Sequence, residues 1–249
     1  MRLLAPVAAV LLGAGLAACG GPAPAPVASG PAARPVPDRV LVFTRTTGFR
    51  HASIPTGIGT VRELGATGGF AVTATEDPAA LRPDGLAGYR AVVFLSTSGD
   101  VLDPAGRAAL EAYVRGGGGF VGVHSAADTE NDWPFYGELV GARFAGHPAV
   151  QPVTIRFRPS ALTAGLPPTW RVTDEPYNFR RRPEGVQVLA TLDESTYSGG
   201  TMGADHPIAW TSEVGQGRSF YLGLGHPDAV WADPVFRRLL AGGIRYASG

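Results

Sequence analysis

The sequence predicts an α/β fold in which a doubly wound, mostly parallel sheet is flanked by helices and extended by antiparallel strands in its second half. Three observations support this prediction: apolar runs alternate with helical segments in the first half, two Asp-Pro pairs mark helix starts, and short strand candidates separated by turns fill the second half. A parallel strand is buried on both faces, so it reads as a continuous apolar run.

The first half is predicted to contain four strands and two helices. The strands are expected at residues 39–44, 70–75, 91–95 and 120–123. A helix is expected over residues 55–64, although Gly57 and Gly59 lower its helix propensity. Asp103-Pro104 supplies a capping carboxylate and a proline at the first helical position, which predicts a second helix that ends at Gly116.

The second half is predicted to be richer in short strands. They are expected at residues 153–157, 171–173, 186–192, 208–211 and 219–222. Asp233-Pro234 repeats the cap-plus-proline start, and apolar residues recur at helical spacing from there to Tyr246. A terminal helix is therefore expected.

Residues 1–18 are predicted to be a lipoprotein signal peptide, because one Arg and an apolar stretch precede small residues. The segment Leu16-Ala17-Ala18-Cys19 resembles the lipobox of bacterial lipoproteins, which implies cleavage before Cys19 and acylation of its thiol. Residues 19–37 then form the acylated cysteine and a tether rich in Pro, Ala and Gly, and residues 38–249 form the folded domain. We expect an exported protein that is lipid-anchored to the cell envelope, on its periplasmic or extracellular face.

Composition excludes several kinds of chemistry. The formal net charge is zero, so no nucleic-acid partner is expected. The chain contains no Lys, which excludes Schiff-base catalysis, a P-loop lysine and Ser-Lys hydrolysis. Its single Cys is the predicted lipid anchor, so the domain itself has no disulfide and no cysteine nucleophile. The sequence leaves the oligomeric state open.

The candidate site lies where apolar runs end in polar residues. His124-Ser125 and Asp128 directly follow the strand at 120–123, and in open α/β sheets ligands bind at that edge. Every histidine is at a strand end or in a loop marked by Gly or Pro, which fix the local backbone and suit a preorganised site. These histidines are His51, His124, His147, His206 and His226.

Two roles are open for these polar residues. The candidate catalytic residues, which would act by general acid–base chemistry, are His124, Asp128, Glu175 and His226. The candidate ligands of a divalent metal (zinc, manganese or iron) are His124, His147, His206 and His226. No tight metal motif such as HExxH occurs, and the imidazole of His206 could equally cap a turn.

Aromatic residues and one further histidine are candidates for binding the substrate. Trp133, Tyr177 and Trp231 offer flat faces to a sugar ring, and His51 is the fourth candidate. The alternative for the aromatic residues is a place in the core. A separate possibility is that Ser125 acts as a nucleophile with His226 and Asp128, although the G-x-S-x-G pattern is not met because His124 holds its central position.

Six sequence blocks together resemble one family. In order they are GFRH (48–51), GGGFVGVHSAADT (117–129), GARFAGHP (141–148), DEPY (174–177), HPIAW (206–210) and GRSFYLGLGH (217–226). They resemble the ThuA-like (trehalose utilisation) family, over residues 40–247. The resemblance implies a class I glutamine amidotransferase-like (flavodoxin-like) fold without amidotransferase activity, because His124 stands where the catalytic cysteine of that superfamily would be.

The resemblance also implies a role in disaccharide or 3-keto-sugar metabolism. The motif residues that it carries over are His51, His124, Asp128, His147, Glu175, His206 and His226. The leading hypothesis is an envelope-anchored lyase, hydrolase or isomerase acting on a small carbohydrate. Glu175 or His124 would take a proton beside a ketone while His226 and His51 bind a metal or an oxyanion.

Two other functions fit the same residues. In a non-catalytic carbohydrate-binding lipoprotein, Trp133, Tyr177 and Trp231 would supply the affinity and the histidines would only form hydrogen bonds. In a serine esterase, Ser125 would be the nucleophile.

Overall fold

The computed structural model describes residues 38–249, and in this part of the chain nine of eleven strands form one sheet. The strands are β1 (Asp38–Phe43), β2 (Phe70–Thr75), β3 (Ala91–Leu95), β4 (Gly119–Val123), β5 (Phe144–Gly146), β6 (Gln151–Phe157), β7 (Thr169–Asp174), β8 (Asn178–Phe179), β9 (Gln187–Leu192), β10 (His206–Val214) and β11 (Gly217–Leu222). The predicted signal peptide, the lipidation at Cys19 and the tether lie outside the described residues.

Five helices accompany the strands of residues 38–249. They are α1 (Ile54–Gly68), α2 (Pro83–Leu86), α3 (Pro104–Arg115), α4 (Pro134–Val140) and α5 (Pro234–Ser248). Both Asp-Pro starts are confirmed: the Asp103 carboxylate accepts from Gly106 N, and the Asp233 carboxylate accepts from the backbone N–H groups of Val235 and Phe236. None of the helices in residues 38–249 is long and apolar enough to span a membrane.

The sheet has a parallel half and an antiparallel half. Its order is β2-β1-β3-β4-β11-β10-β9-β6-β7. The first five strands in this order run parallel to one another, and each later strand runs antiparallel to its neighbour. The predicted fold class, including the antiparallel extensions of the second half, is confirmed.

The register of the central strands brings their loops together. Val123 at the end of β4 pairs with Leu95 at the end of β3 and with Leu222 at the end of β11. All residues of β3 and β4 are buried, so the polar residues that follow them begin at the edge of the core. The loops after these three strands therefore share one edge of the sheet.

The antiparallel half curls back toward this edge. In the sheet order three strands separate β7 from β11, yet the Asp174 carboxylate at the end of β7 accepts hydrogen bonds from Gly225 N and His226 N, which follow β11. Earlier in β7, Trp170 Nε1 donates to the Asp233 carboxylate over 3.1 Å. The curl carries the end of β7, with Glu175 directly after it, to the loops of the parallel half.

Helix α1 is longer than predicted, and one of the two glycines that lowered its predicted helix propensity serves close packing. It covers Ile54–Gly68 rather than residues 55–64. A Cβ at Gly57 would lie 2.8 Å from the ring of Trp231, so glycine is needed there for close approach. A Cβ at Gly59 would meet nothing within 4 Å. The elements α2, α4, β5 and β8 are short and were not predicted.

Two alanine substitutions in α1 should have opposite effects on stability. Gly65→Ala would place a Cβ 2.6 Å from the carbonyl oxygen of Phe70, so we expect it to lower the free energy of unfolding by about 1–3 kcal/mol. Gly59→Ala, in the same helix with open space around it, should raise stability by about 0.5–1 kcal/mol. Urea unfolding of both variants measures this, and a loss of stability in Gly59→Ala would contradict the packing described here.

Candidate functional site

His124 is held in a strained turn at the end of β4. Its φ of 52° lies in the left-handed region, which is uncommon for a residue other than glycine and costs energy that the surroundings must supply. Tyr221 Oη donates to the His124 carbonyl over 2.9 Å, and His124 Nδ1 lies 3.2 Å from the carbonyl oxygen of Gly223. A carbonyl oxygen only accepts, so Nδ1 carries a proton, and in the neutral form of the ring Nε2 presents its lone pair to the site.

His51 faces His124 across the site. Its Nε2 lies 3.0 Å from His124 Nε2, and its Nδ1 lies 3.3 Å from Ser125 Oγ. Burial, reinforced by the neighbouring His124 and His226, lowers the pKa of His51 from 6.5 to about 3. His51 is therefore neutral at pH 7 and can offer a nitrogen lone pair.

Glu175 owes its position to the buried carboxylate beside it. Asp174 Oδ1 accepts from Glu175 N over 2.7 Å and from His226 N over 3.0 Å, while Oδ2 accepts from Gly225 N over 2.9 Å. Burial raises the pKa of Asp174, and the charge of His124 and these three hydrogen bonds oppose that shift. One side chain thus joins the end of β7 to the loop after β11.

The Glu175 carboxylate lies among three imidazoles. Oε2 is 3.1 Å from His226 Nδ1 and 3.5 Å from His124 Nε2, and Oε1 is 3.0 Å from His147 Nδ1. Burial alone would raise the pKa of Glu175, but interactions with His124 and His226 outweigh it and lower the pKa to about 2. The Glu175 carboxylate in turn raises the pKa of His226 against the effect of burial. Glu175 is therefore ionised at neutral pH.

Four of these residues can hold a metal ion. His51, His124, Glu175 and His226 each offer one ligand atom, and these atoms all lie within 4.8 Å of one another. Three imidazole nitrogens and one carboxylate oxygen suit zinc and similar divalent ions. In residues 38–249, His226 Nδ1 is buried without a partner in hydrogen-bonding geometry, since its contact with Glu175 is close but poorly aligned. The donor set and this unpaired nitrogen both fit a cation; we call these four residues the His/Glu cluster.

The His/Glu cluster opens into a cavity of about 200 Å³. Its walls include charged, hydroxyl and aromatic side chains: Phe49, His51, Ser98, Ser125, Asp128, Phe144, His147, Glu175, Tyr177 and His226. Asp128 is held through one oxygen, since Asn131 Nδ2 donates to its Oδ1 over 3.1 Å. The volume is below the 300–1,000 Å³ typical of sites for drug-sized ligands, so a small molecule would fill it.

Most of the predicted site residues meet at this cavity. His51, His124, Asp128, Glu175 and His226 surround it or lie beneath it, and the ring of Tyr177 packs 4.3 Å from that of His124. The predicted metal ligand His147 lies at the mouth, with its side chain 39% exposed. It contacts the outer oxygen of Glu175 and is not one of the four clustered ligands.

Three predicted site residues lie elsewhere and have structural contacts. His206 is buried, with Nδ1 2.8 Å from Glu194 Oε1 and Nε2 2.7 Å from the carbonyl oxygen of Tyr177, so both nitrogens are engaged. Trp231 is fully buried and its Nε1 donates to the carbonyl oxygen of Gly225. Trp133 packs on Phe135 and Tyr136 and is not part of the cavity wall.

Sequence reasoning missed several residues that shape the site. Asp174 was visible only as one of two adjacent acids, and two of its three partners are 51 and 52 positions away along the chain. Phe49 and Phe144 line the cavity, and each lies within a block that the family resemblance used. Ser125 does not contact His226 as the serine-nucleophile hypothesis requires; its ring partner is His51.

The fold and the site together define an α/β protein with a histidine and carboxylate centre at the carboxyl edge of its parallel strands. The family model for trehalose utilisation (ThuA) matches residues 39–247, and the chain belongs to this family. The family supports a carbohydrate-related role. No protein with a curated description matches this chain in sequence.

Solved structures share the fold. A ThuA-like protein from Bacteroides uniformis is 26% identical with a TM-score of 0.74, and the match covers 88% of this chain and 95% of that one. A ThuA-like protein from Parabacteroides merdae is 22% identical with a TM-score of 0.73, covering 86% and 90%. A β-galactosidase from Bacillus circulans sp. alkalophilus, 14% identical with a TM-score of 0.53, is similar over 85% of this chain and 30% of its own, which shows the fold alone.

Removing the Asp174 carboxylate should lower the stability of the fold more than removing an ordinary surface carboxylate. Asp174→Ala leaves three backbone N–H groups without their acceptor in a buried region, so we expect the free energy of unfolding to fall by about 3 kcal/mol or more. Asp77→Ala is the matched control, because Asp77 accepts one N–H at an exposed turn and should cost about 1 kcal/mol. Equal losses in urea unfolding would contradict the role given to Asp174.

Proposed function

We propose that this protein is an envelope-anchored enzyme that removes a proton from the carbon beside the ketone of a 3-keto-glycoside. The observation that supports the proposal most is the His/Glu cluster at the floor of a small cavity, in a chain that belongs to the trehalose utilisation family. Proton abstraction beside a ketone requires no Lys and no Cys, which agrees with the composition of the domain.

His51, His124, Glu175 and His226 would hold the metal, with zinc, manganese and iron as the candidates. When bound, such a cation supplies Lewis acidity toward a ketone oxygen. Glu175 contributes the negative charge of the donor set, and its low pKa keeps it ionised. The same low pKa makes Glu175 a weak base, so we assign proton transfer to another residue.

His147 is the residue that we assign to proton transfer. Its Nδ1 lies 3.0 Å from Glu175 Oε1 and 2.9 Å from the carbonyl oxygen of Pro148. Both of these oxygens accept, so Nδ1 carries the proton and Nε2 is the nitrogen left to exchange one. The Nε2 lone pair would take the proton from carbon, the C–H electron pair would form the C=C bond, and the carbonyl electrons would move to oxygen.

Asp128 would bind and orient the sugar. One of its oxygens is fixed by Asn131 and the carboxylate lies in the cavity wall, where it can accept hydrogen bonds from sugar hydroxyl groups. Tyr177, packed against His124 in the same wall, would contact the ring itself.

The absence of amidotransferase activity is part of the proposal. Amidotransferases of this superfamily use a cysteine thiol as the nucleophile, and His124 would stand at that position, in the strained turn after β4. Its imidazole contacts the carbonyl oxygen of Gly223 and belongs to the His/Glu cluster, so it does not replace the thiol. Anchoring at the envelope is supported by the lipobox-like segment that ends in Cys19.

Solvent exchange at carbon tests the proposal. Metal-supplemented protein is incubated with methyl 3-keto-α-glucoside in D2O, and NMR follows the proton on the carbon beside the ketone. We expect exchange well above the rate in buffer, and a loss of about 10²- to 10⁴-fold in His147→Ala with binding largely retained. Asp132→Ala is the control, because Asp132 is exposed and outside the cavity wall.

Two outcomes would contradict the proposal in different ways. Binding of the keto-glycoside without exchange would indicate a carbohydrate-binding lipoprotein instead of an enzyme. If His147→Ala exchanges the proton at the wild-type rate, the protein is an enzyme as proposed, but His147 is not the residue that transfers the proton.

A further inference from the structure

Phe49 is an apolar side chain exposed at the mouth of the cavity. Phe49 is 66% exposed, and in residues 38–249 the other large exposed apolar residue is Val150, at 41%. Phe49 belongs to the cavity wall, whereas Val150 does not. Its ring meets that of His51 edge to face, with centroids 4.8 Å apart. An aromatic ring left in water beside a polar site is a feature that a ligand can use.

The loop that carries Phe49 is fixed in place. Ser98 Oγ donates to the carbonyl oxygen of Phe49 over 2.6 Å, and the carbonyl oxygen of Ser98 accepts from Thr47 N and Gly48 N. Thr47 Oγ1 adds a bond to the carbonyl oxygen of Asp100 over 3.0 Å. The loop that carries the ring is therefore already ordered, so the entropic cost of ordering it on ligand binding is small.

Exposure increases from the floor of the cavity to its mouth. The side chain of His124 is fully buried and that of Glu175 is 7% exposed, whereas the side chain of His147 is 39% exposed and Phe49 is the most exposed apolar residue of the cavity wall. The enclosed space of about 200 Å³ is small, so one sugar ring beside the histidines would fill it. A ligand with a second ring must extend past the mouth, where Phe49 offers an exposed apolar surface.

We propose that Phe49 forms an outer subsite that binds the second ring of a two-ring glycoside while the first ring lies at the His/Glu cluster. This inference rests on the proposed function and assigns to Phe49 a specificity-determining role, namely a preference for glycosides that have a ring on both sides of the glycosidic bond. The C–H face of a pyranose carries weakly positive hydrogens, and the face of a phenyl ring is negative, so the two attract as they exclude water.

Binding of two matched sugars tests the subsite. Titration calorimetry on the full-length protein compares 3-keto-trehalose, which has two rings, with methyl 3-keto-α-glucoside, which has one. We expect Phe49→Ala to weaken binding of the two-ring sugar about 10-fold, and binding of the one-ring sugar, which meets Phe49 only as part of the cavity wall, by about 3-fold or less. Phe49→Trp should retain the two-ring preference, and Val150→Ala should change neither affinity.

Each alternative result has a distinct meaning. If Phe49→Ala weakens binding of both sugars equally, or of neither, the outer subsite is wrong, and the proposed function is unaffected because solvent exchange at carbon tests it separately. If Phe49→Ala leaves both affinities unchanged but alters the oligomeric mass in solution, Phe49 is a contact between protein chains and the subsite is again wrong. If the wild-type protein binds neither sugar, the proposed function itself fails, and the subsite with it.

Discussion

The site depends on one buried carboxylate, that of Asp174. Its two oxygens accept the backbone N–H groups of Glu175, Gly225 and His226, which come from opposite halves of the sheet. Pairing of β10 with β11 already joins the two halves of the sheet, and the Asp174 carboxylate adds a link that fixes the end of β7, and with it Glu175, against the loop that carries His226. A carboxylate is suited to this task because each oxygen can accept more than one hydrogen bond, whereas a neutral side chain of similar size offers fewer acceptors.

Once Glu175 is positioned, the neighbours of each ionisable group in the site determine its protonation state. Gly223 fixes the tautomer of His124, burial keeps His51 neutral, and Glu175 remains ionised. A neutral imidazole and an ionised carboxylate are the forms that bind a cation, so a bound cation would replace the proton that Glu175 favours on His226. His124 after β4 and Ser96 after β3 both have a positive φ, so backbone strain lies at this edge of the sheet, which agrees with a site assembled for binding or catalysis instead of for stability.

The sequence predicted those parts of the fold that local pattern controls. Strands β2 and β3 were predicted at their observed boundaries. The alternating pattern of β2 and the continuous apolar run of β3 each indicate a strand without information from the rest of the chain. Helix α1 was predicted too short, since only the structure shows that Gly57 accommodates Trp231. His206 and Trp231 were predicted in the site, but a His-Pro pair or an aromatic ring has the same local sequence whether it lines a cavity or packs behind it. Asp174 acts through residues distant in sequence, and no local pattern reveals such a partner.

The metal content of the protein tests most directly the claim that His51, His124, Glu175 and His226 form one centre. Mass spectrometry would compare wild type with His124→Ala, His226→Ala and His147→Ala after incubation with zinc, manganese or iron. The account predicts near one ion per chain in the wild type and in His147→Ala, because His147 lies outside the four ligands, and loss of the ion in the other two variants. A metal-free wild type, or an ion retained in His226→Ala and lost in His147→Ala, would contradict it.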